Sequence, residues 1–186
     1  MRRRAVGILA SLAAALLARP AAGDDGLVDA GAVQSYLVIS HLGKKGTPVT
    51  GLAARWMFVD GHGEVGLGGS ITAWKPLWGP ETDSFGFDLD FNAQFSGSFK
   101  EGKAHIMPCG GFAVGLRNMF LEPVESSRLA VSGVGVTLHL GVHGHFGRRS
   151  GLYWRLVGFG SAHLHFPEPG WSAGGGAELS LGIYID

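Results

Sequence analysis

Histidines and carboxylates are the side chains of this sequence that could do chemistry, and the histidines first suggest a metal site. His163 and His165 lie two residues apart, so on a β-strand they would share one face. Two imidazoles could bind Zn²⁺ or Cu²⁺ weakly, whereas a strong site needs three or four ligands. Pairing the flanking strands places His143 about 26 Å from His163 along the strand direction, too far to share a metal. We therefore predict no metal site and keep His163 and His165 only as a weak alternative site.

A second candidate is the acidic pair Asp88 and Asp90, in the stretch FGFDLDFNAQFSGSF (residues 85–99). Pairing this stretch with the next one through a tight turn sets Asp88 opposite Gly115, with Arg117 one step away on the diagonal. We therefore predict an ion pair of Asp88 or Asp90 with Arg117. Because buried charges need partners, we interpret this pair as a structural bridge and not as a catalytic acid.

A third group of polar side chains comes from the last three extended runs. Pairing these runs places His143 opposite Arg155. It also places Glu178 level with His139, with Phe159 between them. This arrangement predicts a hydrogen-bond network and no catalytic residues. The candidates for interior ion pairs are therefore Asp88, Asp90, Arg117, His139, Arg155 and Glu178.

These side chains are positioned by extended runs in which apolar and polar residues alternate. In residues 85–99 phenylalanines dominate one set of alternate positions, and Asp, Asn, Gln and Ser take the other, which predicts a β-strand with two unlike faces. Gly, Pro and Asp mark the ends of the runs. After a polar lead-in (24–32), eight strands are predicted in an up-and-down order: 33–42, 49–59, 64–74, 85–99, 103–120, 129–146, 152–166 and 171–185.

Strand length and loop length indicate a membrane barrel. Several runs are long enough to cross a bilayer at a tilt and to protrude beyond it. The connections after strands two, four and six are short, and those after strands three and five are longer, an asymmetry typical of outer-membrane barrels. The predicted fold class is therefore all-β, an eight-stranded antiparallel up-and-down transmembrane β-barrel.

The composition of the two strand faces predicts which of them points outward. The polar faces carry many glycines and few Lys or Glu, which suits a narrow interior better than a water-exposed surface. Aromatic residues gather near the strand ends of the apolar faces, as membrane interfaces favour. We therefore predict that the apolar faces meet lipid. The alternative is a soluble periplasmic barrel that holds an apolar ligand. The aromatic groups are Trp56, Phe58, Phe99 and Trp154 at one end, and Phe85, Phe87, Phe166 and Trp171 at the other.

Composition also excludes several function classes. Fifteen Lys and Arg balance fifteen Asp and Glu, which argues against nucleic-acid binding. The single cysteine, Cys109, excludes an intramolecular disulfide and a cysteine-based zinc site.

The N-terminus is typical of a secretory signal. Residues 1–4 are basic, residues 5–18 are apolar, and small residues follow up to Gly23. A signal peptide is therefore predicted over residues 1–23, with an uncleaved membrane anchor as the alternative. Residues 24–186 have the length of one domain, which we predict to be an outer-membrane β-barrel domain.

The pattern of the whole mature chain resembles the small eight-stranded outer-membrane barrels of Gram-negative bacteria, the OmpA/OmpX-like class. The resemblance implies export to the outer membrane, no cofactor, and two partners, outer-membrane lipid and the barrel assembly machinery. Such proteins usually end on an aromatic residue that this machinery reads. This chain departs from that pattern, since its last four residues are Ile183, Tyr184, Ile185 and Asp186.

Residues 161–178, SAHLHFPEPGWSAGGGAE, also resemble the end of outer-membrane lipid A deacylases, which pair a His-x-Ser on one strand with a Glu on the next. By that resemblance His163 matches the histidine and Glu178 the acid. The serine position holds His165, so the nucleophile is missing, and the predicted facing is away from lipid. We therefore predict a non-enzymatic barrel with a packed polar interior and a structural or loop-mediated envelope role, and no small-molecule ligand. A lipid A-modifying enzyme stays as an alternative.

Overall fold

A computed structural model of the protein describes residues 25–42, 46–59, 65–77, 83–96, 106–121, 129–146 and 152–185. The predicted signal peptide (1–23) lies outside the described residues, and so does Phe99. No helix among the described residues is long and apolar enough to cross a membrane.

Eight antiparallel strands account for nearly all of the described chain. Their alternating sequences fit a pleated strand, in which successive side chains point to opposite faces. A short 3₁₀ helix, Ser40–Leu42, follows the first strand. The strands are β1 Asp25–Ile39, β2 Gly46–Val59, β3 Val65–Pro76, β4 Phe85–Ser96, β5 Ile106–Leu121, β6 Leu129–His145, β7 Leu152–Phe166 and β8 Gly170–Ile185.

Each strand pairs with its neighbours in sequence, and β8 pairs with β1, so the sheet closes into a barrel. The predicted fold class, an eight-stranded up-and-down antiparallel barrel, is confirmed. Following the paired residues once around the barrel from Val28 returns to β1 at Val38, ten residues further along, which is a shear of ten. The path runs through Val28, Trp56, Gly69, Phe91, Val114, Val136, Ala162, Ala173 and Val38.

This shear sets the shape of the barrel. With strands about 4.8 Å apart and a rise of about 3.3 Å per residue, it corresponds to a strand tilt of about 40° and a backbone radius of about 8 Å. An interior of that width is just large enough for side chains to fill. The lumen, meaning the space inside the barrel, is therefore a packed core in which glycine and large side chains must complement one another.

The apolar faces point outward, as predicted. On β4, Phe85, Phe91 and Phe95 are about half exposed, whereas Asp88 and Asn92 are buried. On β6, Leu138 is 64% exposed and Leu140 is 74% exposed. The alternative of a soluble barrel around an apolar ligand is wrong, because each such side chain left in water forfeits about 1.5–3 kcal/mol of burial.

Two bands of aromatic side chains ring the outer wall. Phe85 and Phe95 stand ten residues apart on β4, and both are exposed. At a tilt of about 40° this spacing is about 25 Å along the barrel axis, which matches the apolar band of outer-membrane barrels. Trp154 and Phe166 mark the same two levels on β7. The wall therefore has the height and the interfacial aromatics that a bilayer requires.

Three local predictions are wrong. β1 begins at Asp25, not Val33, because the supposed polar lead-in pairs with both β2 and β8. Asp88 pairs with Arg117, not Gly115. Glu178 pairs with Val157, so it is not level with His139 across Phe159. In both pairings the predicted register is off by two residues, which leaves every side chain on its predicted face.

The predicted alternation of short and long connections concerns residues that lie mostly outside the described ones. We call the end where β1 begins and β8 finishes the lower end, and the opposite end the upper end. The connection between β4 and β5, at the lower end, falls on residues 97–105, which lie outside the described residues. The connection between β7 and β8, at the upper end, covers only residues 167–169.

Apolar side chains fill the lumen at both ends. The upper cluster includes Trp74 on β3 and Leu121 on β5, which are nearly inaccessible to solvent. The lower cluster consists of Leu27, Met57 and Tyr153, with Tyr184 packed against it. Polar and charged side chains occupy the space between these two clusters. The further members of the upper cluster are Leu37, Ile39, Val49, Met119 and Val131, with Leu129 packed against them.

Candidate functional site: the polar lumen

The upper part of the polar lumen is organised by one arginine. Arg117 on β5 faces Asp88, its direct partner on β4. Its Nε donates to Asp88 Oδ1 at 2.8 Å, and its Nη2 donates to Asp88 Oδ2 at 2.7 Å. This two-point contact is the strong form of an arginine–carboxylate pair. Both side chains are buried, so each charge offsets the free-energy cost of burying the other.

Arg117 also reaches across the lumen to the other side of the barrel. Its Nη1 donates to Ser172 Oγ on β8 at 3.2 Å, and its Nη2 approaches Ser161 Oγ on β7 at 3.5 Å. The indole of Trp74 donates weakly to Asp88 Oδ1 at 3.4 Å and lies 5.9 Å from the Arg117 guanidinium carbon. Arg117 therefore connects β3, β4, β7 and β8 through side-chain contacts alone.

A second ion pair, nearer the lower end, joins β1 and β2. Arg55 binds Asp29 through both Nε and Nη2. Its Nη1 donates to Gln94 Oε1 on β4 at 3.1 Å. Because the Arg55 side chain is 4% exposed and the Asp29 side chain 1%, neither charge could be held here without the other.

A third ion pair joins β7 and β8. Arg155 Nη1 donates to Glu178 Oε1 at 3.1 Å, and Ser180 Oγ donates to the same oxygen at 2.5 Å. Arg155 also lies directly opposite His143 on β6, as predicted from the hairpin. The three arginines thus bind three different carboxylates, each on a neighbouring strand.

Two of the predicted residues take no part in these pairs. Asp90 pairs with Gly115 in the β4–β5 ladder, and its carboxylate makes no ion pair with any described residue. His139 on β6 is buried, and its Nε2 has no hydrogen-bond partner within the described segments. Both line a cavity of about 80 Å³ in the middle of the lumen, large enough for a few water molecules.

His163 and His165 both face the lumen near its upper end, as predicted. His165 Nε2 lies 3.0 Å from Ser172 Oγ, and its ring stacks on His41 at a centroid distance of 5.3 Å. Within the described segments, no three His, Cys, Asp or Glu side chains come together as a metal site would require.

The deacylase-like pairing of His163 with Glu178 is not assembled. Glu178 pairs with Val157, which lies six residues from His163 along β7, about 20 Å at the rise of a strand. Glu178 is instead held by Arg155. The contact between Ser172 and His165 is closed to substrate, because Ser172 is 1% exposed and also accepts a bond from Arg117.

Asp29 and Arg55 are interior polar residues that the sequence pattern did not identify. Asp29 lies in the segment predicted as a polar lead-in, for which no strand face is predicted. Arg55 alternates with Ala53 and Met57, and the same period of two that placed Arg117 could have placed it inside. Ser172 alternates with Trp171 and Ala173 on β8, which predicts an inward position, but its contact with Arg117 spans the barrel and has no local signal.

The chain shares its fold with solved outer-membrane barrels. No protein-family model and no curated protein sequence matches it. Neisserial surface protein A, NspA, superimposes with a TM-score of 0.64 at 12% identity, over 85% of this chain and 96% of that one. Ail, the attachment invasion locus protein of Yersinia pestis, gives a TM-score of 0.56 at 12% identity, over 87% of this chain and 99% of that one.

The outer membrane protein OprG from Pseudomonas aeruginosa is similar to the same degree, with a TM-score of 0.52 at 12% identity over 88% of this chain and 96% of that one. Identity this low carries information on fold alone. The protein has the fold of the small eight-stranded outer-membrane β-barrels.

Proposed function

We propose that the protein is a non-enzymatic barrel of the outer membrane, with a packed polar lumen and a structural role in the envelope. The observation that carries this proposal is the combination of a lipid-facing wall with a lumen filled at both ends by buried apolar clusters. Its partners are outer-membrane lipid and the machinery that inserts barrels, and export depends on the N-terminal signal.

The described part of the upper end favours a structural role of the barrel wall over a role of the loops. The connection between β7 and β8 covers only residues 167–169, and the 3₁₀ helix Ser40–Leu42 directly follows β1. NspA is named as a surface protein and Ail as an attachment protein, which supports loop-mediated surface contact as the second form of the same proposal.

Fractionation tests the location. Expressed in a Gram-negative host, the protein is expected in the outer-membrane fraction. It should also migrate faster on detergent gels when left unheated, because the closed barrel stays compact. Recovery of the processed protein in the soluble periplasmic extract would contradict the proposal.

Planar-bilayer recording tests the packed lumen. The purified protein is expected to give no conductance steps, since the apolar clusters and the crosslinked charges leave no continuous aqueous path. An open porin in the same bilayers is the positive control. Stable, reproducible channels from the wild-type protein would show that the lumen conducts.

The absence of lipid A chemistry is tested separately. Mass spectra of lipid A from cells that overproduce the barrel are expected to match those from cells carrying an empty vector. A new lipid A species that lacks one acyl chain would favour the enzyme alternative, and a Ser172→Ala variant would then show whether the buried Ser172–His165 contact is responsible.

A further inference from the structure

The cavity in the middle of the lumen lies between the ion-paired layers. Its walls include Arg55, Arg155 and Glu178 from the lower pairs, and Asp88 and Arg117 from the upper pair. The lining also includes uncharged polar side chains, namely Ser70, Thr72, Asn92, Thr137 and Ser161, and apolar ones, among them Val33, Leu37, Trp74 and Phe159. We call this space the lumen chamber. A cavity of about 80 Å³ that is lined by this many polar groups is large enough to hold a few water molecules or a small hydrated ion.

The charges that face the lumen do not balance. Among the side chains that the structure describes, three arginines, Arg55, Arg117 and Arg155, and four carboxylates face the lumen. Three carboxylates, Asp29, Asp88 and Glu178, take one arginine each. Asp90 is the fourth, and it is left with no ion pair. An uncompensated charge inside a protein is costly, so either a cation or a proton is expected to neutralise it.

Asp90 is also held at the chamber by the local backbone. Its partner on β5 is Gly115, and Asp90 Oδ1 lies only 2.1 Å from the position that a Cβ of residue 115 would take. The Asp90 carboxylate therefore lies over the backbone of Gly115. Because residue 115 has no side chain, nothing at that position separates the carboxylate from the chamber. Asp88 and Arg117 flank it on β4 and β5, and they already neutralise each other.

A separate observation points to an occupant of the chamber. His139, on β6, is 8% exposed and lines the chamber, yet its Nε2 bonds to no described residue. A buried ring nitrogen without a protein partner is normally satisfied by water. The chamber thus presents one free carboxylate, several hydroxyl oxygens and one free imidazole nitrogen to whatever fills it.

We propose that the lumen chamber binds one hydrated monovalent cation, with the Asp90 carboxylate and the hydroxyls of Thr72 and Thr137 as its oxygen ligands. Hard cations take such ligands, and a water on the ion can donate to His139 Nε2. The chamber is unsuited to a free anion, because all three arginines are already paired. Transition metals need more nitrogen or sulfur ligands than the described chamber offers.

Thermal unfolding in different salts tests the site. The folded full barrel in detergent micelles is heated in NaCl, KCl or the chloride of N-methyl-glucamine, a cation too large for the chamber, at equal ionic strength. The small cations are expected to raise the unfolding midpoint by about 3–6 °C at a tenfold excess over their dissociation constant. Equal midpoints in all three salts would overturn the proposal.

Variants separate the chamber from a general salt effect. Asp90→Asn keeps the shape but removes the charge, so the difference between the small cations and N-methyl-glucamine is expected to disappear. Asp83→Asn, which alters an exposed carboxylate outside the lumen, should keep it. If Asp90→Asn does not fold, Thr137→Val decides, because it removes one ligand without a change of charge and should weaken the response.

A proton on Asp90 is the competing way to neutralise the lumen. In that case the midpoint would vary with pH but not with the identity of the cation, and Asp90→Asn would remove the pH dependence. That result would overturn the cation site. A direct check is a crystal grown in RbCl. An anomalous peak is expected beside the Asp90 carboxylate. The absence of a peak there would contradict the proposal.

Discussion

At the scale of single residues, the lumen depends on a few charges that each have a specific partner. Arg117 touches Asp88, Ser161 and Ser172, on three different strands. Water cannot replace such a contact without a loss of stability, because the buried guanidinium has already lost its hydration shell. The side chain acts as a crosslink inside the barrel, which suits a wall that must hold its shape in a bilayer.

This view predicts the effect of removing one charge. Asp88→Asn is expected to lower the free energy of unfolding by about 3–5 kcal/mol, since it leaves the buried Arg117 charge without its counterion. Urea unfolding of the barrel in lipid vesicles measures the change. Asp83→Asn, at an exposed position just before β4, is the matched control and should change stability by less than about 0.5 kcal/mol. Equal stability of the two variants would contradict the crosslinking role of the pair.

At the scale of single strands, the period of two decides what each side chain meets. On β7, Trp154 and Phe166 mark the two membrane interfaces, and Gly160 lies midway between them. The partner of Gly160 on β6 is Leu138, which therefore faces the centre of the bilayer. Leu164 is exposed to a similar extent as Leu138, 69% against 64%, but it lies only two residues from Phe166 and therefore near the interface.

The difference in depth predicts a difference in tolerance to charge. Leu138→Arg is expected to lower the free energy of unfolding by about 2–4 kcal/mol, and Leu164→Arg by about 0–1 kcal/mol, because arginine near the interface can extend to water. Urea titrations of both variants in the same vesicles give the comparison. Equal costs would mean that the two leucines do not lie at different depths.

At the scale of the whole molecule, the barrel depends on the seam where β8 meets β1. Gly176 faces the lumen there, and a Cβ at this position would lie 2.1 Å from the backbone oxygen of Gln34. Gly158 faces lipid on the neighbouring strand, and a Cβ there would have no atom closer than 3.8 Å. Bare backbone is therefore required at Gly176 and not at Gly158.

This contrast predicts the outcome of two identical substitutions. Gly176→Ala is expected to destabilise the barrel by about 1–3 kcal/mol and to reduce the fraction that migrates as a compact band on unheated gels, because strand β8 must shift away from β1. Gly158→Ala should fold like the wild type. A compact, fully stable Gly176→Ala barrel would show that the seam is looser than its geometry indicates.

The sequence by itself determined the class of fold and the facing of the strands. The alternation of Phe with Asp, Asn and Gln along β4 is a local property of the chain, and so is the chemistry of the turns between strands. Glycine on the polar faces and aromatics at the ends of the apolar faces then distinguish a lipid-facing barrel from a soluble one. Seven of the eight strands were located within a few residues on this basis, and β1 was not, because small and weakly polar residues blur its alternation.

Only the tertiary structure decided which side chains meet. A slip of two residues between neighbouring strands keeps every side chain on its own face. No local pattern can therefore decide whether Asp88 pairs with Arg117, as it does, or with Gly115, as predicted. The register is selected when β8 closes on β1, because all eight pairings must then add up to one shear. Closure also brings Arg117 to Ser172 across the lumen. It leaves Asp90 facing the chamber without an arginine, unlike Asp29, Asp88 and Glu178.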